Sequence, residues 1–245
     1  STWVTSAERT PLDYMASQIA AGQVEDVGNL SKAVFVATAT GQDPRDFGGA
    51  DLVAELLAGQ DTTSGQFGDT LFKHAYAVLA LHNATASVPS DAVTAMTAQM
   101  TEDGGWALFG GTAPATADTN TTALVMQALV AVGEVDAAAG ALPYLRRMQN
   151  DDGGFPYQKP SEWGTDTDAN STAVVVQALI ALDEPLSAWA VDGVDPLGAL
   201  QALWDEETGA YLWQAAVPGV NMLATAQAVQ AAEGMTLAAL PQVGA

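Results

Sequence analysis

The chain has 245 residues, of which 49% are hydrophobic, and its seven Lys and Arg are outnumbered by 29 Asp and Glu, giving a formal net charge of −22. This acidic composition excludes nucleic acid as a partner and disfavours anionic membranes, because phosphate groups need a basic partner surface. The absence of cysteine excludes disulfides, zinc–thiolate sites and cysteine nucleophiles.

The pattern of apolar residues predicts five helical hairpins in chain order. First helices are predicted near 11–22, 50–59, 90–101, 136–149 and 195–204, and second helices near 29–40, 70–82, 120–132, 170–182 and 221–232. The second helices are apolar on nearly every face, which indicates burial, whereas the first helices are amphipathic. Together they predict two concentric rings of helices within a single domain, 1–245, and no segment clearly predicts a strand.

One segment of the chain is repeated about 50 residues later. The segment NTTALVMQAL at 120–129 returns as NSTAVVVQAL at 170–179, and a glycine–aromatic turn precedes each copy, DGGW at 103–106 and DGGF at 152–155. Self-similarity at a fixed period indicates stacked supersecondary units. The glycines permit a tight turn, and the aromatic residue can pack back onto its helix pair.

These residues resemble a known repeat. The segment YLRRMQNDDGGF at 144–155 is similar to the glutamine–tryptophan repeat of the prenyltransferase and squalene-oxidase repeat superfamily, and 99–106 and 60–67 fit its second half. The resemblance implies an all-α, terpenoid cyclase-like α/α toroid, usually of six hairpins, so five hairpins would leave it incomplete. Within the superfamily, the repeat pattern of this chain most resembles that of secreted bacterial toroid domains related to the cobalamin carriers. Proteins with this fold have several different functions, so the fold alone does not identify the function of this chain.

The acids that cyclases of this superfamily need are not in register. Proton-initiated terpene cyclases use a D-x-D-D motif before Thr-Ala, and Asn120 and Asn170 occupy the position of the proton donor. An amide cannot donate that proton. An enzyme is therefore only the alternative to a noncatalytic binding domain. It would be a terpenoid cyclase-like or glycan-active enzyme that uses Asp166 and Asp168 as its paired carboxylates. Helix capping is the competing interpretation of these residues, because Asp and Asn at a helix start accept hydrogen bonds from free backbone N–H groups.

No metal site is predicted. The zinc site of the prenyltransferases needs a cysteine, and His74 and His82 are about 12 Å apart along one predicted helix. We expect His74 to be a packed or hydrogen-bonded helix residue. Residues 166–170 copy the first half of a calcium-binding EF-hand loop, but Ser171 and Gln177 replace its Gly and Glu. A looser calcium site among the acidic loop residues is the remaining cofactor alternative.

Aromatic residues are frequent in the loops before the second helices. The repeat's own aromatics are expected to pack inside the hairpins: Phe67, Trp106, Phe155 and Tyr211. The residues expected to contact a ligand lie beyond that motif or beside it: Phe109, Tyr157, Lys159, Trp163, Asp166, Asp168 and Trp213. Aromatic side chains around a cavity suit a flat or apolar ligand, and a lysine can pair with an anionic one.

The sequence as a whole favours a noncatalytic binding domain. Its partner would be a small apolar or aromatic-stacking ligand, or another protein or domain, bound at the mouth formed by the loops before the second helices. We expect an extracellular or cell-surface location, with a signal segment outside this chain. The alternative is the cytoplasm of a salt-adapted organism, where an acidic surface keeps proteins soluble. No apolar stretch reaches the roughly 18 residues that a membrane span needs.

Overall fold

The five predicted second helices are present and form the inner layer of the fold. The computed structural model describes residues 9–162 and 164–240. The inner helices are α2 (Val27–Ala39), α4 (Leu71–Asn83), α6 (Thr119–Ala131), α9 (Ala169–Ala181) and α11 (Met222–Ala232). Each packs against the next, so that α2, α4, α6, α9 and α11 follow one another around an arc. The predicted all-α toroid is confirmed.

Shorter helices pack on the outside of this arc. They are α1 (Pro11–Ala20), α3 (Leu52–Ala58), α5 (Ser90–Thr97), α7 (Val135–Ala139), α8 (Leu142–Met148) and α10 (Pro196–Gln201). A short 3₁₀ turn, Leu186–Trp189, precedes α10. The outer helices contact the inner ones through buried aliphatic side chains such as Leu56, Met96 and Leu200.

Two predicted outer elements differ from the structure. The single helix predicted over 136–149 is two helices that are separated by a break at Gly140. Pro143, which lacks an N–H group, lies in the first turn of α8, where that group would have no helical acceptor. The helix predicted over 195–204 ends at Gln201. It is followed by a two-residue antiparallel hairpin of β1 (Trp204–Asp205) and β2 (Ala210–Tyr211), which the sequence did not predict.

The glycine–aromatic turns are fixed by one recurring hydrogen bond. In each, the backbone N–H of the aromatic residue donates to the side chain four residues after the helix N-cap. These bonds are Phe67 to His74 Nδ1 (2.9 Å), Trp106 to Thr122 Oγ1 (2.9 Å), Phe155 to Thr172 Oγ1 (3.0 Å) and Tyr211 to Thr225 Oγ1 (3.0 Å). All four aromatic side chains are buried, as predicted.

His74 occupies the threonine position of this motif. Its Nδ1 accepts the turn's N–H, so Nε2 carries the proton and donates to the Ala92 carbonyl at 2.9 Å. Burial lowers the pKa of His74, which keeps the ring neutral as this arrangement requires. The expectation of a hydrogen-bonded helix histidine is confirmed.

A second recurring bond joins neighbouring hairpins. The first N–H of an inner helix donates to a carbonyl in the loop of the following hairpin: Leu71 to Leu108 (2.8 Å), Thr119 to Tyr157 (2.8 Å) and Ala169 to Trp213 (2.9 Å). These N–H groups have no acceptor within their own helices. The hairpins that follow α4, α6 and α9 therefore complete the starts of these three inner helices.

The arc has two free ends, and a C-terminal strap crosses one of its faces. Within the described residues, α2 and α11 form no packed helix pair of the kind that joins the other inner neighbours. The strap, residues 235–240, is held by Asn83, which donates to the Leu237 carbonyl (2.8 Å) and accepts from the Leu240 N–H (3.0 Å). Gln127 accepts from the Leu237 N–H at 2.8 Å. The strap therefore closes the C-terminal side of the ring.

Candidate functional site

A central cavity of about 420 Å³ lies inside the ring of inner helices. All five inner helices and the strap line it. The sixth residue after each helix N-cap lies in its wall: Lys32, Tyr76, Leu124, Val174 and Gln227. This shared register follows from the helical repeat, which gives equivalent positions of parallel repeats the same orientation.

One wall of the cavity is aromatic. Phe35 and Phe72 each pack edge-on against Tyr76, with ring centroids 5.9 and 5.0 Å apart. Burial raises the pKa of Tyr76, so its hydroxyl stays protonated. Lys32 Nζ lies 5.9 Å from the centre of the Tyr76 ring. Lys32 is the only charged side chain among the described lining residues.

The opposite wall is partly polar. Asn170 Nδ2 donates to Gln227 Oε1 at 2.6 Å, which joins α9 to α11. Gln177 and Gln230 also line the cavity. Leu223 lies at the open side of α11, and 65% of its surface is exposed. The cavity is thus mainly apolar, with amides on one side and one lysine at its edge.

The predicted ligand residues that the structure describes lie in the loops or at the start of α9, and none of them lines this cavity. Phe109 is 78% exposed, Tyr157 42% and Trp213 39%. Lys159 borders two loop cavities, one of about 230 Å³ and a wider groove of about 820 Å³. Trp163 lies outside the described residues.

Asp166 and Asp168 occupy different surroundings. Asp166 is exposed and borders the wider groove. Asp168 is buried as the N-cap of α9, where Oδ1 accepts the Ser171 N–H and Oδ2 accepts the Ser171 hydroxyl, both at 2.8 Å. The capping interpretation therefore describes Asp168, and a catalytic use of the two carboxylates stays a prediction.

Asp118, the equivalent N-cap of α6, is less completely bonded. Its Oδ1 accepts the Thr121 N–H at 2.7 Å, but its buried Oδ2 has no hydrogen-bond partner. Burial raises the pKa of Asp118 to about 6. Burial is the main cause that raises the pKa of Tyr157 to about 12, and the charge of Asp118 adds to the increase. Sequence reasoning did not single out Asp118 as a site residue, although the repeat places it at the same position as Asp168.

We expect Asp118→Asn to stabilise the protein at pH 7 by about 1–2 kcal/mol. A buried carboxyl with a raised pKa is charged at neutral pH at an energetic cost. The folded protein holds this proton more tightly than the unfolded chain, so the contribution of Asp118 to stability falls as pH rises from about 4 through 6. Because asparagine does not titrate, the variant would lack this decrease in the free energy of unfolding as pH rises. Urea unfolding at pH 4.5 and 7.5 measures it.

Asp168→Asn is the matched control for this prediction. Burial also raises the pKa of Asp168, but both of its oxygens have partners. Its substitution should therefore change the pH dependence less. A pH dependence that is the same in the wild type and in Asp118→Asn would contradict the assignment.

The described residues offer neither a metal cluster nor a membrane span. In residues 9–162 and 164–240, no group of three or more His, Cys, Asp or Glu is arranged to hold a metal ion. A calcium ion in the acidic loops stays a prediction. Over the same residues, none of the helices has the length and apolar character that crossing a membrane demands.

Comparison with known proteins supports the fold. No protein-family model matches the chain, and no curated protein sequence matches it. Among solved structures, it is similar to Candida albicans protein geranylgeranyltransferase-I complexed with GGPP, at 14% sequence identity and a TM-score of 0.51. The match covers 71% of this chain, which spans about half (52%) of that one. At this identity the likeness shows the helical toroid-type fold that the two chains share, and the fold alone.

Proposed function

We propose that this chain is a noncatalytic binding domain that holds a small apolar ligand in its central cavity. The observation that carries the proposal is the cavity itself, about 420 Å³ in volume and lined by all five inner helices. Ligand sites in proteins are typically concave, mostly apolar cavities of roughly 300–1,000 Å³ with a few polar groups. The aromatic wall and the amides opposite it fit that description.

The lining favours binding over catalysis. Proton-transfer chemistry needs a titratable group within reach of the substrate. The titratable residues among the described lining residues are Lys32 and Tyr76, and no Asp, Glu or His is among them. Burial raises the pKa of Tyr76, which keeps it protonated and makes it a poor base at neutral pH. Phe35, Phe72 and Tyr76 instead offer ring faces and edges to a flat or apolar ligand.

We propose that the loop residues predicted from the sequence lie at the entrance of the central cavity. The loops before the inner helices carry Phe109, Tyr157 and Trp213, all with exposed surface. A ligand that enters from the side opposite the strap would pass these loops. The acidic composition is compatible with an extracellular or cell-surface location and equally with the cytoplasm of a salt-adapted organism. In either location the domain would bind its ligand in the same cavity.

Farnesol, a neutral chain of fifteen carbons, is a suitable probe. We expect saturable binding by calorimetry, and at least a tenfold loss of affinity in Val174→Trp, because the larger side chain would fill the cavity. Val135→Trp on α7 is the matched control, since Val135 is exposed on an outer helix. Mass spectrometry of an organic extract of the purified protein would identify a natural ligand.

Two results would contradict the proposal. One is a wild-type protein that binds neither farnesol nor any extracted ligand. The other is a Val174→Trp variant that keeps its helical circular dichroism and binds as tightly as the wild type. Turnover of a polyprenyl or glycan substrate that is lost in Asp166→Asn would favour the enzyme alternative.

A further inference from the structure

A second cavity, of about 230 Å³, lies between α8 and the loops that precede α6 and α9. Tyr144, Arg147 and Met148 of α8 line one side, and Gln158, Lys159 and Pro160 line another. Asp103 adds one acidic residue to the lining. It shares no lining residue with the central cavity. At roughly 30 Å³ of liquid volume per water, it has room for about eight waters or a ligand of similar size.

Two of the seven basic residues of this acidic chain meet at the cavity. Arg147 donates to the carbonyls of Pro143 (3.0 Å) and Asp103, and Lys159 Nζ donates to the Gln149 carbonyl (3.4 Å) and Asn150 Oδ1 (3.2 Å). All four acceptors are neutral. In the described residues, the only salt bridges are those of Lys73, so neither cation has a carboxylate partner. Both retain their attraction for an anion.

Tyr144 supplies an unused donor in the same place. Its side chain lines the cavity, the residue is 3% exposed, and its hydroxyl has no hydrogen-bond partner. A buried polar group without a partner is costly, and a ligand that accepts its hydrogen bond removes that cost.

The charge around Tyr144 comes from several elements. Burial raises the pKa of Tyr144 and the charges of Asp118 and Asp103 add to this, whereas Arg147 acts in the opposite direction. The carboxylate of Asp103 accepts a hydrogen bond from the Ala115 N–H. The phenol therefore stays protonated and can only donate to an anion.

We propose that this cavity binds a small monocarboxylate with an apolar body. Arg147 and Lys159 would hold the carboxylate, the Tyr144 hydroxyl would donate to it, and Met148 and Pro160 would contact the apolar part. This site is independent of the central cavity, so its ligand and the apolar ligand of the ring can be tested separately.

Benzoate is the first probe, followed by acetate and inorganic phosphate. Calorimetry and two-dimensional NMR of the whole chain should show saturable benzoate binding, with acetate weaker because it lacks the apolar body. Benzamide, the neutral analogue of similar shape, should bind at least tenfold more weakly. Arg147→Gln and Lys159→Gln should each weaken benzoate at least fivefold, and Tyr144→Phe about threefold.

Arg146→Gln is the matched control. Arg146 stacks on Trp189 with its guanidinium carbon 3.6 Å from the ring centre and donates to the Ala188 carbonyl, away from the cavity. Its substitution should leave benzoate affinity unchanged, and so should Val174→Trp in the central cavity. Arg147 also holds backbone carbonyls, so Lys159→Gln provides the test if Arg147→Gln does not fold.

Three results would overturn the proposal. These are no saturable binding of any of the three anions, equal binding of benzamide and benzoate, and equal losses in Arg146→Gln and Lys159→Gln. The last would reveal a general effect of net charge instead of a site. None of these results bears on farnesol binding, so the failure of this inference and the failure of the proposed function are distinguishable.

Discussion

Replacing Trp106 with alanine is expected to lower the free energy of unfolding by about 4 kcal/mol. The side chain is fully buried between hairpins, and its indole N–H donates to the Met96 carbonyl at 2.9 Å. The substitution would open a large cavity and remove this hydrogen bond from the Met96 carbonyl. Because a domain is typically stable by only about 5–15 kcal/mol, the loss should be evident as a lower urea midpoint.

Trp213→Ala is the control of the same residue type. Trp213 is 39% exposed and contributes its backbone carbonyl to the start of α9, a bond that alanine retains. We expect a loss of roughly 1 kcal/mol or less. If both tryptophan variants lost equal stability, Trp106 would not be the packing residue that its burial indicates.

Replacing Gly153 with alanine is expected to lower the free energy of unfolding by about 3 kcal/mol. Its φ of 86° lies in a region that L residues rarely adopt, and an added Cβ would lie 2.6 Å from the Val194 carbonyl oxygen. Because that oxygen belongs to the backbone, the clash cannot be relieved by moving a side chain. Urea unfolding measures the loss.

Gly193→Ala separates the two causes of this loss. Gly193 has nearly the same φ, 87°, but no atom lies within 4 Å of its added Cβ. Its substitution should cost about 1 kcal/mol, from backbone conformation alone. If both variants lost a similar amount of unfolding free energy, the close approach of the added Cβ to Val194 would contribute nothing to the cost.

The helices were predictable because the chain repeats itself. The recurrence of 120–129 at 170–179 fixed the register of the inner helices, and every predicted inner helix was found within a few residues of its place. The break at Gly140 was not predicted, because the apolar spacing continues across it. The β1–β2 hairpin was also missed, because two-residue strands are too short to show an alternation of apolar and polar residues.

The sites were harder to predict than the fold. Of the loop residues predicted to contact a ligand, Lys159 lines the smaller cavity, and none of those that the structure describes lines the central one. Aligning the five repeats on their N-caps would have revealed that lining at the sixth position, where Lys32 and Gln227 interrupt an otherwise apolar set. Cavities depend on how helices lie against one another, which a single helix pattern does not contain. That residues 1–245 form one domain stays a prediction.

The hydrogen bonds that tie each inner helix to the following loop have a consequence for the order of assembly. As the chain leaves the ribosome, Leu71 has no acceptor until Leu108 has been made, and Thr119 has none until Tyr157 has followed. The starts of α4, α6 and α9 thus lack this protein acceptor until the following hairpin has been made, which couples the folding of neighbouring units. A nascent chain stopped between units would expose an incomplete helix start to chaperones and proteases.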